Sequence, residues 1–214
     1  ENGLRILKAA GIKLIKKRGY YMANLLPKEQ YSMAAIIGLE SKKIEEKCTE
    51  IAEKTGMFIV PANYNYANQT VISGNEKAIE QAMLELKEIG AKRTIKLKTS
   101  GPFHTKKLEV AKEAYEKELE KINFNMENAE GKIKVIKNID GTFYKKTDDI
   151  KQILANHIIS PVRFDKAIDL MKSEGIEQYL EIGPGKVLSG FVKKTNKEIK
   201  ILIYNILLLI SGGH

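Results

Sequence analysis

Cysteine is nearly missing from this chain: Cys48 stands alone among 214 residues. That excludes an internal disulfide and a cysteine-rich metal site. Its neighbours Ile44, Ile51 and Ala52 fall at helical spacing, so the thiol reads as a core side chain rather than a nucleophile. Such usage suits a reducing cytoplasm. No H-E-x-x-H motif or Asp/Glu/His cluster suggests a metal. No serine has a glycine two positions before it, so the G-x-S-x-G nucleophile elbow is absent. Long apolar runs are also scarce. The longest, Ile201 to Ile210, is broken by Tyr204 and Asn205 and falls short of the roughly 20 residues a membrane helix needs. It reads as a buried strand followed by a turn. There is no signal peptide, and the start at Glu1-Asn2-Gly3 reads as a cut or processed end.

Basic residues are plentiful. Lys and Arg number 36 against 27 acidic residues, a formal charge of +9. The surplus favours an acidic partner, whether nucleic acid, anionic membrane, phosphorylated cofactor or acidic protein. The basic pairs are scattered (Lys42-Lys43, Lys92-Arg93, Lys106-Lys107, Lys145-Lys146, Lys193-Lys194), as on solvated helix faces. A hydrophobic content of 43% and mean hydropathy of −0.29 describe a folded domain.

The sequence predicts a helix over 4–23, with Leu4, Leu7, Ile12 and Ile15 apolar, lysines between them, and Gly19 as an interruption. Met33-Ala34-Ala35-Ile36-Ile37-Gly38-Leu39 reads as a buried strand, and a helix starts at Ser41 and ends before Gly56. Strands are expected over 57–61 and 70–73, joined by a polar loop from Asn63 to Gln69. A helix follows Asn75, and Thr94-Ile95-Lys96-Leu97-Lys98 alternates as a half-exposed strand. The order over 33–98 is βαββαβ, the ferredoxin-like split unit. Beyond it the pattern predicts a helix over 107–122 and a strand over 132–136. Helices over 148–155 and 165–173 come next, then a strand over 179–182, a helix over 187–194 and a last strand over 200–204. Alternating strands and helices imply a mainly parallel sheet covered on both faces. A βαββαβ module thus interrupts an α/β remainder that looks incomplete.

Only three histidines exist, and His104 lies in Ser100-Gly101-Pro102-Phe103-His104-Thr105, between a basic strand and a long charged helix. An imidazole at a strand-to-helix junction can take a proton from a hydroxyl and return it later, although junction histidines also occur with no role. His157 sits at a helix end, where a structural role is the default, and His214 is terminal. Glu181-Ile182-Gly183-Pro184-Gly185-Lys186 fails the phosphate-loop tests, because Val187 follows the lysine and the glycine spacing is wrong. It reads as a strand-to-helix turn. An RNA-binding reading of the βαββαβ unit needs aromatics on its central strands, and Thr70 to Ser73 has none.

Three segments together resemble malonyl-CoA:acyl carrier protein transacylases, the acyltransferase family of fatty acid synthesis. They are Met33–Leu39, Ser100–Thr105 with its following helix, and Ser160-Pro161-Val162-Arg163-Phe164 continuing through Glu181–Gly190. The resemblance covers about residues 18–200 and implies an incomplete α/β-hydrolase-like large domain with an inserted ferredoxin-like βαββαβ subdomain. The divisions are 1–30 with 99–214, and 31–98. It implies transfer of a malonyl group from coenzyme A to the phosphopantetheine thiol of acyl carrier protein through a malonyl-serine intermediate. The residue matching the family's base is His104. Arg18 matches the arginine that holds the malonyl carboxylate in a bidentate pair, a task that suits a planar guanidinium. Asn65 matches a loop residue of the acyl pocket, and Phe103 matches the malonyl-selective form of the motif. His157 stands where the family usually has glutamine, whose backbone carbonyl orients the catalytic histidine. Lys92, Arg93, Lys96 and Lys98 are expected to steer the acidic carrier protein. The resemblance further implies no bound cofactor or metal, a coenzyme A thioester as substrate, a cytoplasmic monomer, and neither nucleic-acid nor membrane partners. The family's first third, with its Gly-Gln-Gly-Ser-Gln loop and nucleophilic serine, has no counterpart here. Two alternatives stand beside this reading. One is a non-catalytic fragment or relative that binds carrier protein or coenzyme A. The other is a basic ferredoxin-like module that binds nucleic acid.

Overall fold

In the computed structural model, residues 2–99, 101–127, 130–131 and 133–204 are described, with side chains from residue 11 onward. The sheet at the centre of the fold grows from β1 (Tyr31–Ile37), whose middle five residues are all buried. Both of its faces are covered, which is why it reads in sequence as a continuous apolar run rather than an alternation. Ala34 and Ile36 face one way, onto α2 (Ser41–Thr55) and α3 (Glu76–Glu88) through Ile44, Cys48, Ile51, Ala78, Ile79, Ala82 and Leu86. Met33 and Ala35 face the other way, against Ala62 and Val71. The thiol of Cys48 is a core group, and burial pushes it up to about 12, away from any thiolate role.

β2 (Ile59–Tyr66), β3 (Gln69–Asn75), β4 (Arg93–Lys96) and β5 (Val162–Arg163) complete the sheet in the order β4-β1-β3-β2-β5. The first four pair antiparallel, and β5 joins β2 in parallel, with Asn63 opposite Val162. The βαββαβ order over 33–98 is therefore observed, with shifted bounds. The polar run after Asn63 is strand as far as Tyr66, because β3 offers it a partner. Only Ala67 and Asn68 make the turn. Asn75 gives α3 no side-chain cap; its Oδ1 accepts instead from Phe58 N–H at 2.7 Å and fixes the start of β2.

Outside this unit α1 (Asn2–Asn24) runs without a break through Gly19. A glycine costs a helix only about 1 kcal/mol, which packing offsets. Met22 is buried with Leu108, Ala111, Tyr115 and Leu119 of the following turn and α4 (Glu109–Leu119). Ala155 of α5 (Ile150–Asn156) and Ile158 close the same cluster. Ile12 and Ile15 of this helix are 70% and 67% exposed. The side chains of Leu4 and Leu7, together with Ser100, Lys132, Asn205–Ile210 and His214, lie outside the described residues.

Of the expected strand over 132–136, the described residues 133–136 make a single bridge, Ile136 to Phe143, with no strand among the described residues alongside. The expected parallel sheet is likewise small. β6 (Gln178–Ile182) and β7 (Lys200–Tyr204) pair in parallel as two strands, with α6 (Phe164–Ser173) and α7 (Val187–Thr195) packed on one face. Leu180, Ile182, Leu202 and Tyr204 are exposed on the other. Glu181 explains the glycine-rich turn. Its carboxylate accepts the N–H groups of Leu188 and Ser189 at 3.2 and 2.8 Å, capping α7 across Gly183 and Gly185, both at positive φ. This fits a structural turn rather than a phosphate loop. No helix among the described residues is long and apolar enough to cross a membrane.

Candidate functional site

His104 sits at the seam between the helical cluster and the open face of the sheet. Phe103, just before it, packs against both groups of residues. The backbone of the turn is tightly specified. A Cβ on Gly101 would stand 2.4 Å from Leu26 Cδ2, so a larger residue there would have to push aside the end of the Leu26 side chain. Thr105 Oγ1 donates to Pro102 O at 2.7 Å and accepts from Lys107 N–H at 3.3 Å, while Leu108 behind it is fully buried. Between these anchors His104 adopts φ 59°, the only non-glycine residue at positive φ among those described. A non-glycine residue there is strained, and packing has to hold it.

That strain aims the ring. His104 Nδ1 lies 3.1 Å from the carbonyl oxygen of His157. A carbonyl can only accept, so Nδ1 carries the proton and Nε2 keeps its lone pair. The accepting carbonyl belongs to the residue that ends α5, where helix carbonyls lack partners within the helix. Burial is the main influence on His104 and pulls it down to about 4. The bond to His157 O and the carbonyl of Ser160 oppose this, and the Arg18 charge reinforces it. His157 is pulled down to about 3 by burial, then by His104 and Arg18. The two rings lie 5.2 Å apart, tilted by 38°. Both are neutral at physiological pH.

Arg18 reaches this seam from α1. Burial lowers its affinity for the proton, Tyr115 opposes that, and its Nη2 is buried with no hydrogen-bond partner. His157 Nε2 and Thr99 Oγ1 are buried and unpartnered too. Buried polar atoms are usually satisfied, so three orphans around one histidine mark a place that a ligand would complete. Beside them opens a cavity of about 400 Å³. Met22, Met33, Leu97 and Phe103 form its apolar wall; Asn63, Thr99 and His104 supply polar atoms, and Gly19 lies at its edge, whereas Arg18 is not in its wall. A mainly apolar hollow with a few convergent polar groups is the usual form of a small-ligand site.

The structure brings His104, Arg18, His157 and Phe103 together. Asn65 is not in the cavity wall; it lies in β2 rather than in a loop, and the asparagine in the wall is Asn63. The register explains this. Asn63 pairs with Val71, which faces the seam, whereas Asn65 falls at an irregularity between Tyr64 and Tyr66. The four basic residues near β4 do not form one patch. Lys96 lies opposite Ala34 on the helix side and is bound by Glu76 and Glu80 at 2.6 and 3.0 Å. Arg93 lies opposite Ile37, on the other face, and Lys92 and Lys98 are exposed. Sequence reasoning missed Thr99 and Asn63. The alternation of β4 continued past Lys96 could have flagged Leu97 and Thr99 as facing the seam. No group of three or more His, Cys, Asp or Glu placed to hold a metal occurs among the described residues.

The site therefore defines a class of protein: an α/β chain that fixes an imidazole through a bond from Nδ1 to a helix-end carbonyl and buries an unpartnered guanidinium nitrogen nearby. Comparison with known proteins shows what the chain is similar to. The chain is 37% identical over 188 residues to the malonyl CoA-acyl carrier protein transacylase of Bacillus subtilis, covering 88% of this chain and 58% of that protein. It is 33% identical over 190 residues to the Staphylococcus aureus protein of the same name, covering 89% and 60%. Among solved structures, the Clostridium perfringens transacylase superposes with a TM-score of 0.83 at 36% identity, covering 94% of this chain and 62% of that one. A malonyl-transacylase solved in complex with a type II polyketide acyl-carrier protein superposes with a TM-score of 0.81 at 31% identity, covering 94% and 63%. No family profile matches the chain. The chain is thus similar over most of its length to part of the malonyl CoA-acyl carrier protein transacylases, the resemblance its motifs led us to expect. It spans 58% to 60% of the length of these curated relatives.

Proposed function

We propose that this chain supplies the base and the acyl-binding groups of a malonyl-CoA:acyl carrier protein transacylase. The observation that carries the reading is the fixed tautomer of His104 next to the unpartnered Nη2 of Arg18. In the full-length protein a serine hydroxyl, from sequence with no counterpart here, attacks the thioester carbonyl of malonyl-CoA. His104 Nε2 takes the hydroxyl proton, and the imidazolium is held by the Nδ1–H bond to His157 O. Collapse of the tetrahedral intermediate expels the coenzyme A thiolate, which receives that proton and leaves a malonyl-serine ester. The phosphopantetheine thiol of acyl carrier protein then attacks the ester, with His104 serving as base and acid in the same order. Arg18 pairs with the malonyl carboxylate, and Phe103 limits room for a branched acyl group. One methylene in such a pocket is worth about 1–3 kcal/mol.

In this reading the βαββαβ unit, 31–98, is the ferredoxin-like subdomain, and 1–30 with 99–214 is the α/β-hydrolase-like part. The protein works as a cytoplasmic monomer with no resident cofactor, on a coenzyme A thioester and the acidic carrier protein. Lys92, Arg93 and Lys98 are free to steer that partner, whereas Lys96 is engaged by Glu76 and Glu80.

The test is malonyl labelling of the full-length protein, followed by mass spectrometry. One malonyl group on a serine is expected, lost or greatly slowed in His104→Ala. Arg18→Ala should reduce malonyl transfer far more than acetyl transfer. Absence of labelling would turn the reading toward a non-catalytic relative, and equal losses for both acyl groups would remove the carboxylate role of Arg18.

A further inference from the structure

The chain that follows α5 is gripped from two sides just beyond the site. The carbonyl oxygen of His157 holds His104 Nδ1 at 3.1 Å, while those of Ala155 and Asn156 accept from the N–H groups of Ile158 and Ile159. Only Ile158 to Val162 separate His157 from Arg163. In β5, Val162 stands opposite Asn63 of the cavity wall and Arg163 opposite Tyr64. The Arg163 guanidinium lies 4.4 Å from the centroid of the Tyr64 ring. Its Nε and Nη2 donate to the two carboxylate oxygens of Asp165 at 3.0 and 2.7 Å. Tyr64 is tied down in turn, since its hydroxyl donates to Glu45 of α2 at 2.8 Å. On the other side, Arg163 N–H donates to Asn138 O at 2.7 Å. The turn containing Asn138 leans on α6, where a Cβ on Gly141 would come within 2.3 Å of Lys166 Cβ and 2.9 Å of its backbone carbon. A strand of two residues offers few ladder bonds, so side chains have to hold β5 in place. A planar guanidinium can stack through its face and fork through its edge at once, which an ammonium group cannot.

We propose that Arg163 is a positioning residue for His104. Laid on Tyr64 and forked to Asp165, it fixes β5 against β2, and with β5 the path of the chain leading back to the His157 carbonyl. Ser160-Pro161 has little freedom to absorb a shift, because proline fixes its own φ and restricts the residue before it. A displaced β5 therefore reaches the carbonyl that keeps the proton on Nδ1. The clasp also joins two parts of the fold. Tyr64 and Glu45 belong to the βαββαβ unit and Arg163 and Asp165 to the remainder, so the imidazole is held in register with the Asn63 wall opposite. The consequence for catalysis rests on the reading of His104 as the base, whereas the consequence for its tautomer does not.

The experiment reads the nitrogen-15 shifts of His104 in the 214-residue chain at neutral pH. Arg163→Lys and Tyr64→Leu should each weaken the protonated-Nδ1 signature, moving both ring nitrogens toward the average of mixed tautomers. Tyr64→Phe keeps the ring under the guanidinium and should leave them in place. Leu86→Ala, a core loss from α3 on the other face of the sheet, is the control for general loosening. In the full-length protein Arg163→Lys should lower kcat for malonyl transfer about tenfold, with KM for malonyl-CoA little changed. A fall in urea stability with both nitrogens unmoved would make Arg163 merely structural and overturn the proposal. So would an equal shift in Leu86→Ala. If the nitrogens move while kcat holds, the positioning role stands and the base reading falls. Should Tyr64→Leu not fold, Arg163→Lys decides alone.

Discussion

Lowering the pH from neutrality should destabilise this fold well before its carboxylates protonate. His104 and His157 titrate near 6.5 when exposed and near 4 and 3 in the folded chain. Between these values the unfolded chain binds protons that the folded chain refuses, so stability falls as pH falls. The contribution is fully present above 6.5 and is lost on descending toward the folded values. Each ring loses about 1.4 kcal/mol per pH unit, giving roughly 5 kcal/mol for the pair by about pH 4.5 as an upper limit, since the rings interact. A typical domain has about 5–15 kcal/mol in total, so the effect is large. Glu50 and Glu118 are held down to about 2 by their lysine partners. Their stabilisation is lost only below the ordinary carboxylate value of 4.5, which leaves the window above it to the histidines. Urea unfolding across that window measures the slope. The double variant His104→Gln with His157→Phe should flatten it. An equally steep slope in the double variant would refute the reasoning.

Gly101→Ala should cost no more than about 1 kcal/mol in urea unfolding, because its Cβ meets the movable end of Leu26 at 2.4 Å. It should also slow malonyl transfer by displacing the turn that aims His104. Reversing Lys92 and Arg93 to Glu should lower kcat/KM for the carrier protein and flatten its salt dependence. Lys96→Glu should do less, since Glu76 and Glu80 already occupy that ammonium group. Carrier-protein kinetics at two ionic strengths check both, and an unchanged rate for the Lys92/Arg93 reversal would remove the steering role.

The fold was legible wherever one residue pattern decided one environment. β1 is buried on both faces and announced itself as an apolar run, and α2 and α3 showed their inward stripes. The pattern failed where long-range pairing decided. Asn63 to Tyr66 looks like a polar loop and becomes strand because β3 lies beside it. Residues 133–136 alternate like a strand yet find only one bridge. His104 could be picked out from its neighbours, but the left-handed backbone that aims it could not, since glycine is the residue that usually signals such a turn. The orphaned atoms of Arg18, Thr99 and His157 come from three separate stretches and meet only in the folded chain. Splitting the basic residues of β4 between two faces likewise needed its register against β1.

The role proposed for His104 turns on which of its ring nitrogens holds the proton. Nitrogen-15 chemical shifts of the labelled chain at neutral pH read this directly. A protonated Nδ1 and a bare Nε2 are the result that the 3.1 Å bond to the His157 carbonyl requires. A proton on Nε2, or a charged imidazolium at that pH, would contradict it.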